Sequence, residues 1–140
     1  MNEAQRDQLI AQIANTLPLP KEIERDFAAF TADTVMGGLW FREGLAPRER
    51  SLVTIAALTA LARPHELEIH LGLGLDNGLS RREICEVIMH MAVYGGWPVA
   101  VEGMRAAKQV FAKRDAQDDA KAREARSRSS RTRRARRRAT

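Results

Sequence analysis

Glu66 and His70 stand four residues apart in the stretch Arg63-Pro-His-Glu-Leu-Glu-Ile-His70, a spacing that brings a carboxylate and an imidazole onto one face of a helix. Held side by side, such groups can deliver a proton to a reacting carbon or orient the group that does. On a wheel drawn at about 100° per residue with Glu66 at zero, His70 falls near 40° and Arg63 near 60°. Leu67 and Leu71 bracket this cluster on one side and Ile69 and Leu73 on the other. The wheel therefore turns Glu66 and His70 inward or into a subunit interface, and leaves Glu68, Gly72 and Asp76 as the solvated face. Burying ionisable groups is expensive unless they are paired. The two residues are thus either a mutually satisfied structural pair or a functional one.

Glu86 and His90 repeat the Glu-x-x-x-His spacing one helix later. A four-ligand metal centre would need both pairs to converge. Helical di-metal sites use Glu-x-x-His instead, and the apolar stripe Ile84, Val87, Ile88, Met91, Ala92 lies opposite Glu86 and His90 on their own helix. No metal site is expected. Cys85 is the single cysteine, with no second thiol to resolve it, and reads as a small packing residue.

The elements that must position these residues are helical. Pro and Gly punctuation divides the chain into about six segments, with no run of alternating β-branched residues long enough for a sheet. The fold class is all-α, an antiparallel helical bundle. A first helix is expected from Asn2 to about Asn15, and a second from about Pro20 to Val35, ending at Gly37-Gly38 and followed by the loop 39–45. A third runs from Pro47 to Leu61, where proline suits a first helical turn. It is apolar almost all round, as befits the centre of a bundle or a subunit interface. The fourth starts near Pro64 and stops at Asn77-Gly78. The fifth opens on Ser80-Arg-Arg-Glu83, a reciprocal capping box, and ends at the stretch 94–98. The sixth runs to about Arg114.

Charge divides the chain sharply. Residues 1–114 carry 13 Lys/Arg and 14 Asp/Glu, whereas residues 115–140 carry ten and four. The body offers no basic field for nucleic acid, and any polyanion binding would fall to the tail. That tail is low-complexity Ala, Arg and Ser and is expected to be disordered, giving a domain over 1–114 and a tail over 115–140. The N-terminal residues lack a basic region followed by an apolar stretch, and the longest apolar run, 52–62, is too short to span a bilayer. A cytoplasmic protein that does not enter the membrane is expected.

Several stretches fall together in order and spacing: Leu39-Trp40-Phe-Arg42-Glu-Gly-Leu45, Arg48-Glu-Arg50-Ser51-Leu-Val-Thr54, His65-Glu66-Leu67 with His70, Asn77-Gly-Leu-Ser80 with Glu83, and Val93-Tyr94-Gly-Gly-Trp97-Pro98. Over about residues 27–113 this combination closely resembles the carboxymuconolactone decarboxylase family. The resemblance implies the alkyl hydroperoxidase D-like helical fold, a homo-oligomer (trimer or hexamer), and sites near subunit interfaces. Alkyl hydroperoxidase relatives carry Cys-x-x-Cys-x-x-x-His. With His70 matched to that histidine, Arg63 and Glu66 occupy the cysteine positions, so a thiol relay is not expected and the decarboxylase branch is implied. This chain has Gly95 where the decarboxylases commonly carry a cysteine, and their arginine-rich segment is not evident before Phe27.

The implied function is cofactor-independent loss of CO2 from a small carboxylated lactone such as 4-carboxymuconolactone, in aromatic-acid catabolism. Arg50 is the candidate for carboxylate or oxyanion binding, because a guanidinium is permanently charged and forms two parallel hydrogen bonds. Glu66 and His70 are the candidates for proton delivery. Trp40, Arg42, His90 and Trp97 are the candidate substrate-binding residues. Two other readings differ in class: a family member that acts on another small molecule or serves as an oligomeric scaffold, and a polyanion-binding protein acting through its tail.

Overall fold

The computed structural model describes residues 1–138, with side chains through residue 128. No strand occurs among the described residues, and the chain forms two compact units, Met1–Arg50 and the residues from Ser51 onward.

The first unit opens with α1 (Glu3–Thr16). Asn2 caps it, its side chain accepting from Gln5 N at 2.9 Å while the Gln5 side chain accepts from Asn2 N at 3.0 Å. The short α2 (Glu24–Phe30) passes into a π-helical segment, Thr31–Trp40. Its wider winding is visible where Phe41 N–H reaches the Met36 carbonyl, five residues back, at 2.9 Å. Arg6 clamps this segment to α1 through a two-pronged contact with Asp33, both bonds 2.7 Å. The second helix was expected to stop at Gly37-Gly38, and here the structure corrects the sequence reading. A terminating glycine adopts the left-handed conformation. Gly37 and Gly38 do not, whereas Gly44 in the following loop does, with φ of 106°.

The second unit is built on α3 (Pro47–Ala60) from Ser51 onward, α4 (Pro64–Asp76), α5 (Arg81–Tyr94) and α6 (Trp97–Arg138). Its core joins Ile55 of α3, Leu67 and Leu71 of α4, Leu79, Ile84 and Ile88 at and within α5, and Ala100, Ala106, Ala107 and Val110 of α6. Small residues let α6 lie close. A Cβ on Gly103 would come within 2.9 Å of the Ile88 Cγ2 methyl, nearer than packed carbons approach. The capping box at Ser80 forms as its sequence predicts: Ser80 Oγ accepts from Glu83 N at 3.1 Å and the Glu83 carboxylate from Ser80 N at 2.8 Å.

α3 is less central than its composition suggests. Ser51, Ile55 and Thr59 form its buried stripe, while Val53 on the opposite side is exposed in the single chain. α6 also differs from expectation, since it does not stop near Arg114. Residues 115–128 continue it; beside three Asp and one Ser, the run is made of Ala, Arg, Lys, Gln and Glu, all good helix formers. Every side chain described from Asp115 onward is exposed, so this extension adds nothing to the core. The part of the expected tail at 139–140, and the side chains from 129, lie outside the described residues.

Candidate active site

Pro64 occupies the first turn of α4, and the chain reaches it through a tight reversal. Ala62 takes the left-handed conformation, φ of 52°, and Arg63 N–H donates to the Leu58 carbonyl at 3.0 Å. This turn fixes where Arg63 leaves the backbone, and α4 then sets Glu66 and His70 one helical turn apart. The buried seam of the helix is Leu67, Leu71 and Gly74.

The opposite pair of faces is arranged differently from the wheel reading. Glu68, Gly72 and Asp76, expected to be the solvated face, lie toward α6: Lys113 Nζ reaches Glu68 at 3.2 Å, and Arg114 donates to Asp76 at 2.8 Å and to the Gly72 carbonyl at 3.3 Å. The buried seam Leu67, Leu71 and Gly74 sets the roll of α4, and these ion pairs accompany it, pairing charges that leucine bracketing cannot reveal. Glu66 is consequently exposed in the single chain rather than turned inward, flanked by Ile69 and Leu73, which are 48% and 43% exposed. His70 is half-buried, and desolvation pushes its imidazole below the ordinary histidine value. Burial thus favours its neutral form, in which one ring nitrogen can donate and the other accept.

Elsewhere in the second unit, His90 lies against the Tyr94 ring, centroids 4.8 Å apart, and both side chains are exposed. Trp97, at the start of α6, is 73% exposed. Glu86 does not join His90 but pairs with Arg82 at 3.1 Å. Among the described residues no group of three or more His, Cys, Asp or Glu side chains could hold a metal ion. In the first unit, Trp40 and Arg42 line an open concavity of about 470 Å³ together with Leu45 and Pro47. Arg50, the last residue of that unit, donates from its guanidinium to the Arg42 carbonyl at 3.1 Å. The loop 41–46 is thereby braced by the same arginine expected to bind substrate.

A smaller cavity of about 140 Å³ opens between α3, the α3–α4 turn and α6, with Arg63 at its edge. The sequence reading placed Arg63 beside Glu66 and His70 but gave it no role. Its position at a helix start after a Leu-Ala pair was the only local signal.

Residues 25–109 match the carboxymuconolactone decarboxylase family. The chain belongs to that family, and the match coincides within a few residues with the span over which the motifs resemble it. It is 40% identical over 90 residues to the 4-carboxymuconolactone decarboxylase of Acinetobacter baylyi, covering 64% of this chain and 67% of that protein. It is 38% identical over 85 residues to an uncharacterized 15.0 kDa protein of Paracoccus denitrificans, covering 55% of this chain and 63% of the relative. A nitrosuccinic acid decarboxylase of Metarhizium robertsii is 37% identical over 68 residues, or 49% and 48% of the two chains. The chain therefore spans between about half and two thirds of the lengths of these relatives.

Proposed function

We propose that this protein is a decarboxylase that acts, without a cofactor, on a small carboxylated lactone such as 4-carboxymuconolactone. The observation that carries the reading is the Glu66–His70 pair on α4, in a chain whose relatives include two named as decarboxylases of small carboxylic acids. In such a lactone the carboxylate sits on the ring carbon next to a conjugated carbon–carbon double bond. When the bond to CO2 breaks, its electron pair enters the ring as a dienolate with charge on the lactone carbonyl oxygen. A proton added at the carbon beside that carbonyl then completes the enol-lactone.

The chemistry asks three things of the protein: hold the carboxylate, stabilise the oxyanion, and protonate carbon. His70, its neutral form favoured by partial burial, offers an N–H to the developing oxyanion and a route for the proton. Glu66, one turn away, orients or recharges it. Positioned proton transfer of this kind contributes about 10² to 10⁴ in rate. Arg50 is retained as a candidate carboxylate ligand on its chemistry, and Trp40, Arg42, His90 and Trp97 as candidate substrate contacts.

The protein is further proposed to be a trimer or hexamer. Exposed Val53, Leu61, Ile69, Leu73, Val93 and Trp97 are an unusual load for a free surface, and packing of copies would cover them. A cytoplasmic location is proposed on the same terms, and no helix among the described residues is long and apolar enough to cross a membrane. Incubation of metal-free protein with 4-carboxymuconolactone tests the function: release of CO2 with formation of the enol-lactone supports it, and an unchanged substrate sinks it.

A further inference from the structure

The cavity at the α3–α4 turn is chemically asymmetric. Its body is apolar, formed by Leu58, Leu67, Val99, Gly103 and the methyl of Thr59. The Thr59 hydroxyl is already turned away, donating to the Ile55 carbonyl at 2.8 Å. At the edge stand two charges of opposite sign, and they are not equivalent. The Glu102 carboxylate is drawn to Arg105 at 2.6 Å, whereas Arg63 enters no ion pair among the described residues. An exposed cation thus stands at an apolar pocket with no acidic partner among the described residues.

Size narrows what the pocket can take. At about 140 Å³ it is close to the aliphatic cavity of roughly 150 Å³ that takes up benzene in an engineered protein. A five- or six-membered ring fits, whereas a nucleotide or a peptide side chain with its backbone does not. The pocket is also a built feature of the packing. Gly103 cannot carry a side chain against Ile88, and the left-handed Ala62 bends the chain so that Arg63 projects from a fixed point.

We infer that this cavity binds a small ring-bearing carboxylate, the ring seated against Leu67, Val99 and Gly103 and a carboxylate group held by Arg63. That the ligand is the substrate itself rests on the decarboxylase reading, in which Arg63, the residue that caps α4, precedes Glu66 by three residues. Its binding of such acids does not rest on that reading. A guanidinium is suited to the task, since its planar fork grips both oxygens of a carboxylate. Arg63 is a substrate-binding residue that the family's redox branch, with cysteine at the matching position, would lack.

Benzoate, which cannot be turned over, is the direct probe. Titrated into the full-length protein, it should shift the amide resonances of Thr59, Leu67, Val99 and Gly103. Arg63→Gln should weaken this binding at least ~10-fold, the scale of a lost charge-assisted hydrogen bond. Arg63→Lys, which keeps the charge without the fork, should fall between the two. The neutral analogue benzamide should bind wild type and Arg63→Gln alike. Shifts confined to other residues, no shift at millimolar benzoate, or equal benzoate affinity in wild type and both variants would overturn the assignment. Binding at the cavity in a protein that decarboxylates no lactone would end the decarboxylase reading and support this one. Turnover of the lactone with no benzoate binding at the cavity would do the reverse.

Discussion

The side-chain amide of Asn77 donates to the buried hydroxyl of Ser51 at 2.9 Å, tying the end of α4 to the start of α3 across 26 residues of sequence. Both residues belong to the stretches that carry the family resemblance, Arg50-Ser51-Leu and Asn77-Gly-Leu-Ser80. The bond gives them a structural reason: it links the two helices that frame the Arg63 turn. Asn77→Ala strips the buried hydroxyl of this partner and is expected to lower unfolding stability by about 1 to 2 kcal/mol. Urea denaturation at matched protein concentration measures it. An unchanged midpoint would mean that the bond contributes nothing to the fold.

His70 titrates below its unfolded value because partial burial penalises the imidazolium. Above about pH 6.5 both folded and unfolded chains carry it neutral, and it adds no slope. As pH falls below that, the unfolded chain takes up the proton first, so stability declines until the lowered folded value is passed. Thermal unfolding scanned from pH 7.5 to 5 should show this decline, and His70→Gln should flatten the histidine part of it. Identical profiles would show that His70 is solvated as in the unfolded chain.

Legibility in the sequence followed the range of the interactions. The capping box at Ser80 and the Pro64 and Asn77 limits of α4 are local, and the structure has them where the residues predict. The π-helical segment was missed because Gly37-Gly38 is a stop signal only when a glycine takes the left-handed conformation, which a sequence does not declare. The face of α4 bearing Glu68 and Asp76 was misjudged because its partners, Lys113 and Arg114, lie 45 and 38 residues away. Arg63 drew no role for the same reason. A cavity shared by α3, α4 and α6 has no signature in any one of them.

The helical extension of α6 past Arg114 buries no described side chain, and Arg81 forms its ion pair there with Asp115. Ending the chain at Gln117 keeps that contact and is expected to shift the thermal midpoint by no more than about 2 °C, within the small range of surface changes. A loss of 10 °C or more would assign the arginines a structural partner.

Light scattering at micromolar concentration is expected to give a trimer or hexamer of the 15.7 kDa chain. Placing a charge on the apolar surface, as in Leu73→Glu, should shift that mass toward the monomer, since unpaired charges are poorly tolerated in a covered interface. A wild-type monomer would leave the exposed apolar side chains without the explanation offered for them.

The central claim is that the carboxylate and imidazole of α4 carry proton transfer in a decarboxylation. It is tested most directly by the turnover of 4-carboxymuconolactone, followed as CO2 released, in wild type, Glu66→Gln and His70→Gln. These substitutions keep approximate size and hydrogen-bonding capacity while removing the titrating group. The account predicts that both variants remain folded and that kcat falls about 100-fold or more in each. Wild-type turnover in both variants would contradict it, as would a wild-type protein that leaves the lactone untouched.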